Sequence, residues 1–236
     1  MTWVVLSSPT ACLLHTLHHG ANADLEPHIA TDASSALSYA ENVLKGPFSL
    51  GEPAIARDSK KALKYARTVL NGPFPLGEPA MALDADVALC YALQVRKGRF
   101  PLAEDTIAQD PAVALVYARN FLKRPFLQAE PFIFFDKFNL TSYLDYLKGS
   151  PKKGDQDVWR DSLLTASYFL VYHHADQRKA RFTKALFESY GLNVDTYVGM
   201  ASLYSPDLSV EQSREVLQLM LGKIHAPTQM HGADLS

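Results

Sequence analysis

Between Tyr172 and Arg181 the chain reads YHHADQRKAR, its densest group of ionisable side chains. His173, His174, Asp176 and Arg178 are of the types that move protons or hold a phosphate. No nucleophile motif, glycine-rich phosphate loop or HExxH segment accompanies them. A turn between helices gathers polar residues for solvation alone, and that is the preferred reading. An enzyme with its site near His173 to Arg181 is the alternative.

Two further sets of residues invite a chemical reading. His15, His18 and His19 contain an i,i+4 and an i,i+3 pair, the spacing at which a helix presents imidazoles to a metal. No cysteine or acidic residue follows at a diagnostic distance, so His15 and His19 do not complete a tetrahedral site. His18 also falls in an apolar column of the repeat described below, and no metal or other cofactor is expected. Lys45, Lys97 and Lys123, with Arg67 and Arg119 nearby, form a basic ladder able to follow a nucleic-acid backbone. Asn71, Glu41 and Leu93 interrupt its columns, which leaves nucleic-acid binding as a weak alternative. Across the columns, Glu41 and Arg67 are expected to pair.

These residues are positioned by a period. Tyr39, Tyr65, Tyr91, Tyr117 and Tyr143 recur every 26 residues, as do Phe48, Phe74, Phe100 and Phe126. Two acidic columns share that spacing: Glu52, Glu78, Glu104 and Glu130, and Asp32, Asp58, Asp84, Asp110 and Asp136. Coincident columns of this kind mark tandem structural repeats. Gly20 and Glu26-Pro27 extend the pattern backward, so a degenerate first repeat begins near Ser8.

Each column has a structural task. Asp58 suits a helix N-cap, its carboxylate accepting from a first-turn amide. Ala62, Leu63, Tyr65, Ala66, Val69 and Leu70 then share one helical face, opposite Lys60, Lys64, Arg67 and Asn71. Gly72 is expected to supply the left-handed residue that ends the helix, and Pro73 to turn the chain. Phe74 and Leu76 are expected to be buried, the tyrosines to pack with their hydroxyls near the surface, and a short helix to follow through Ala80, Met81 and Leu83. One such unit has too little apolar surface to stand alone, whereas stacked units share a core. The expected fold is therefore all-α: a short α-solenoid of helix–turn–short-helix repeats over residues 1–150, with a helical cap or small helical domain over 151–236.

The phrases YARTVLNGPFPLGEPAMALD and YAENVLKGPFSLGEPAIARD resemble tandem repeats of the form YAxxVLKGxFPxGE, found in uncharacterised phage and bacterial proteins. The resemblance covers residues 8–136 and implies a repeat architecture with no catalytic motif. It also makes a phage-encoded protein acting on a host factor a plausible setting. Arg124 in place of the turn glycine, Ala21-Asn22 in place of Pro-Phe, and Asp105 in place of a proline depart from the pattern.

After Gly149-Ser150-Pro151, KKGDQD reads as a polar linker. Helical segments are expected over 158–172, 176–190, 196–204 and 210–224, with a capping box at Ser209 and Gln212 and a break at Ser205-Pro206. PFIFFDKF is expected to carry the contact of this region with the repeats, and the tail from Ala226 is expected to be mobile.

Function is sought where the repeats differ. Ser38, Lys64, Cys90 and Val116 share one column; Glu41, Arg67, Leu93 and Arg119 share another. Unlike side chains on a regular scaffold suit recognition of a macromolecule, and Leu93 and Val116 place apolar groups on an otherwise polar face. Lys64, Arg67, Cys90, Leu93, Val116 and Arg119 are thus the candidate partner-binding residues of a non-enzymatic scaffold. Its expected partner is a protein or a second copy of the chain.

Composition sets the outer limits. Among 236 residues 47% are hydrophobic, enough for one long core or two modest ones, and a net charge of −2 gives no broad pull toward nucleic acid or an anionic membrane. The first twenty residues are apolar but lack a basic start and are interrupted by Pro9 and His15, so export is not expected. No run approaches the ~18 apolar residues of a membrane span. The expected location is the cytoplasm, or the host cytoplasm for a phage protein. Cys12 and Cys90, three periods apart, are expected to remain separate thiols.

Overall fold

The capping aspartates begin the helices their column predicts. In the computed structural model, which describes residues 8–149, 156–203 and 208–223, every regular element among those residues is helical. Asp32 accepts from the Ser35 amide at 2.7 Å, Asp58 from Lys61 at 3.0 Å, Asp84 from Val87 at 3.1 Å, Asp110 from Val113 at 3.0 Å and Asp136 from Asn139 at 2.8 Å. Each cap satisfies a first-turn donor that would otherwise lack a partner. Ser8 does the same for the first helix, Pro9–His19.

The chain forms two compact units, Met1–Leu122 and Lys123–Ser236. The division falls inside the repeat region, so the last tyrosine repeat is grouped with the C-terminal helices.

In the first unit the main helices are Ala33–Tyr39, Ser59–Thr68, Ala85–Tyr91 and Pro111–Tyr117. Three of them widen into π turns, at Ala40–Leu44, Ala92–Arg96 and Ala118–Leu122. Short helices Glu26–Ile29, Glu52–Ile55, Glu78–Met81 and Glu104–Ala108 alternate with them. A glutamate opens each short helix, where its charge complements the helix dipole.

The phenylalanines tie one repeat to the next. Phe74 lays its ring against Tyr65, with centroids 5.1 Å apart, while its amide donates to the Tyr91 hydroxyl at 3.0 Å. Phe48 joins Tyr39 to Tyr65 in the same manner, and Phe100 joins Tyr91 to Tyr117. Each tyrosine hydroxyl in turn donates to the glutamate of the preceding short helix: Tyr39 to Glu26, Tyr65 to Glu52, Tyr91 to Glu78 and Tyr117 to Glu104, all at 2.8 Å. The four tyrosines are fully buried. Their hydroxyls meet the glutamates in part-buried polar nodes, where the carboxylates keep some exposure. A phenol can act there because it both donates and accepts, satisfying an amide and a carboxylate at once.

The helix ends correct the expectation placed on glycine. The left-handed residues are Lys45, Asn71, Lys97 and Lys123, with φ of 50–51°, each one position before the glycine column. Gly46, Gly72 and Gly98 instead return their amides to Ala40, Ala66 and Ala92. A Cβ at these glycines would meet only a backbone oxygen at 3.7–3.8 Å, which explains how Arg124 can stand in the same column. Lysine pays a steric cost in the left-handed region that glycine avoids. Lys45→Gly is accordingly expected to stabilise the protein by about 0.5–1 kcal/mol. Gly46→Ala is expected to leave its thermal midpoint nearly unchanged.

Burial follows the tyrosine face only in part. Ala62, Tyr65 and Ala66 are buried, whereas Leu63, Val69 and Leu70 are half-buried. Phe74 is buried, but Leu76 is 54% exposed, and Leu50 and Leu102 match it. The phenylalanine fills the space over the tyrosine ring, leaving the leucine two residues on at the outer side of the turn. Leu83, expected in the short helix, lies beyond it and is exposed.

The second unit contains Glu130–Ile133, Lys137–Gly149, Gln156–Tyr168 with its π turn Phe169–His173, Ala180–Ser189, Val194–Ala201 and Val210–Met220. Leu164, Phe187, Leu192, Val194, Tyr197, Val216 and Leu217 form its apolar core. The capping box is present in both directions, the Gln212 backbone amide donating to the Ser209 hydroxyl and the Ser209 backbone amide donating to the Gln212 side-chain Oε1. Within PFIFFDKF, Ile133 and Phe134 are buried, whereas Phe132, Phe135 and Phe138 are exposed. The expected linker at 150–155, the Ser205-Pro206 break and the tail lie outside the described residues.

Candidate functional site

The helix Ser59–Thr68 and the π turn Ala92–Arg96 leave an open groove of about 680 Å³ between their ends. Arg67, Asn71, Leu93, Gln94, Val95 and Lys97 line it, with Ala66, Gly72 and Pro73 completing the walls. Arg67 comes from the last turn of its helix. Asn71 and Lys97 are the left-handed residues that end two successive repeats. The π turn supplies Leu93, Gln94 and Val95. The left-handed turns that reverse the chain thus also carry polar groups of the groove.

The electrostatics of this groove are one-sided. No acidic residue lines it. Nearby glutamates are already engaged: Glu41 holds the Lys64 ammonium and the Thr68 hydroxyl, each at 2.8 Å, and Glu78 holds the Arg96 guanidinium at 2.6 Å. The side chains of Arg67 and Lys97 are exposed and make no ion pair or hydrogen bond with the described residues. The expected Glu41–Arg67 pair is therefore replaced by Glu41 with Lys64 and Thr68, which lie on the facing side of the next helix.

Of the six residues singled out for partner binding, Arg67 and Leu93 meet in this groove. Lys64, Cys90, Val116 and Arg119 stand outside its lining. Lys64 is committed to Glu41, Cys90 is half-buried, and Val116 is 39% exposed, equal to Leu93. Arg119 is exposed. Cys12 and Cys90 form no disulfide. Asn71, Gln94 and Val95 were not singled out from the sequence. The signal available was the substitution of asparagine in the lysine column immediately before the turn glycines.

The histidine turn of the second unit is tied to its own backbone. The His174 ring nitrogen Nε2 lies 2.7 Å from the Phe134 carbonyl oxygen, and Lys137 donates to the His174 carbonyl at 3.3 Å. His173 packs edge-on against Phe135 and stacks on Phe169, with centroids 4.9 and 5.5 Å apart. Asp176 caps the turn Gln177–Lys179, and both of its oxygens accept from the Arg178 guanidinium at 2.9–3.0 Å. That pairing with Arg178 holds its carboxyl below the usual range. Asp176 and Arg178 also border a cleft of about 350 Å³ with Lys137, Phe138, Thr141 and Ser142. The four candidate catalytic residues thus divide between ring packing, a backbone contact and a closed ion pair.

The His15 and His19 rings lie tilted against each other, with centroids 4.5 Å apart. Among the described residues, no group of three or more His, Cys, Asp or Glu side chains is arranged to hold a metal ion. His18 is exposed, because its column is only half-buried at Leu44 and Leu70. No described helix is long and apolar enough to cross a membrane.

No family model, curated protein or solved structure matches this chain.

Proposed function

We propose that the chain is a non-enzymatic scaffold, a short α-solenoid that binds a protein partner through the side of its repeats. The observation that carries this reading is the meeting of Arg67 and Leu93, two positions at which the repeats diverge, in one open groove. The regular 26-residue spacing of the Tyr–Phe–Glu nodes supports a stacked-repeat arrangement in which such divergent positions fall side by side. The proposed location is the cytoplasm. The phage-like repeat phrases make a host protein the proposed target.

The test is affinity capture from the native host with the intact chain and with Leu93→Asp combined with Val116→Asp. Both residues are partly exposed, so the variant is expected to keep its helical circular dichroism. It is expected to lose the captured protein, because a charge on an apolar contact costs about 1–3 kcal/mol when desolvated. Unchanged capture by the folded variant refutes this face as the interface.

A further inference from the structure

Building on that scaffold reading, we infer that the groove between Ser59–Thr68 and Ala92–Arg96 receives a short acidic protein segment carrying at least one aliphatic side chain. Two cations, Arg67 and Lys97, line the groove, and neither is neutralised by a described residue. The neighbouring carboxylates of Glu41 and Glu78 are already held by Lys64 and Arg96. The groove therefore offers positive charge and amide hydrogen bonds from Asn71 and Gln94 without an internal counter-ion. Leu93 and Val95 add apolar side chains to the same lining. Its volume, about 680 Å³, lies within the range of specific binding clefts.

The lining chooses between two classes of anionic partner. A single nucleic-acid strand is held by tracking cations together with aromatic platforms on which bases stack. No aromatic residue lines this groove. The basic column is also broken, since Asn71 occupies the place held by Lys45 and Lys97 in adjoining repeats. Aspartate or glutamate side chains need no stacking surface. They gain charge-assisted bonds from a guanidinium and an ammonium while a leucine between them covers Leu93 and Val95.

A fluorescein-labelled peptide, Asp-Glu-Leu-Asp-Glu-Leu-Asp-Glu, tests this by anisotropy against the full chain. Its lysine-substituted counterpart and an oligo(dT) strand of equal length serve as comparators. The acidic peptide is expected to bind, to weaken about tenfold or more with Arg67→Glu plus Lys97→Glu, and to weaken in added salt. The swap Arg67→Lys plus Lys97→Arg is expected to retain binding. Both sites are exposed and unpaired among the described residues, and helical circular dichroism verifies that each variant is folded. Absence of acidic-peptide binding, indifference to the charge reversal, or oligo(dT) binding with the same dependence overturns the inference. If host-protein capture still depends on Leu93 and Val116 in those cases, the scaffold reading stands and only the acidic occupant falls. Loss of both results removes the scaffold reading as well.

Discussion

Arg214→Leu is expected to destabilise the second unit by about 3–5 kcal/mol, the effect of leaving a buried carboxylate without its cation. Glu130 opens the short helix Glu130–Ile133 and is fully buried. One of its oxygens accepts the Tyr143 hydroxyl at 2.8 Å, and the other pairs with the Arg214 guanidinium from Val210–Met220. Burial draws Arg214 down to about 10, so it remains charged at neutral pH. The attraction between the two groups offsets the cost of removing them from water, and deleting one partner leaves that cost uncompensated. Leucine retains apolar volume against the neighbouring helices, so the experiment isolates charge more cleanly than alanine would. Urea unfolding should show a lower midpoint with an unchanged slope. Glu130→Leu in the same chain should recover much of the loss, because it removes the charge that Arg214→Leu exposes. A double variant no more stable than Arg214→Leu alone contradicts this account of the pair.

The Glu130–Arg214 pair was beyond the reach of sequence reading, and its position explains what such reading can see. Glu130 belongs to a periodic column whose other members, Glu52, Glu78 and Glu104, face solvent to some degree. Nothing in that column announces that a distant, unrepeated arginine covers its last member. Local features fared better. The aspartate caps follow from backbone amides within three residues, the tyrosine column from the burial of one helical face, and the phenylalanine column from the turn that carries its ring onto that face. The left-handed turn was misplaced by one residue because glycine is the usual signal for positive φ, whereas lysine and asparagine carry it here. The groove was half legible. Arg67 and Leu93 stood out by breaking the repetition, but Asn71, Gln94 and Val95 join them only through turn geometry that composition does not encode. The histidine turn attracted attention through side-chain type alone. Its distances show a ring pack and a closed Asp176–Arg178 pair, which no residue count distinguishes from a proton-transfer site.

The tyrosine nodes predict an alkaline transition of the first unit. Burial pushes the phenols of Tyr39, Tyr65, Tyr91 and Tyr117 from an ordinary 10.0 up to about 12. Adjacent carboxylates of Glu26, Glu52, Glu78 and Glu104 add to the rise, because a phenolate beside them would be repelled and could no longer donate. A folded value raised above the unfolded one means that the neutral phenol stabilises the fold. That contribution is complete below pH 10 and disappears as pH rises through about 12. Helical circular dichroism should therefore collapse cooperatively within that window, and tyrosinate absorbance should rise with it. Tyr65→Phe supplies the neutral-pH counterpart. It leaves the buried Phe48 amide without its acceptor and removes the donor 2.8 Å from Glu52, at a cost of about 2–4 kcal/mol. Phenylalanine keeps the ring against Phe74, so lost stability there is assigned to the hydroxyl. The same variant should show one fewer tyrosine in the late absorbance step. Ionisation of all four phenols near 10 with helicity intact would contradict the node, since a phenolate cannot donate to a carboxylate and remain buried beside it.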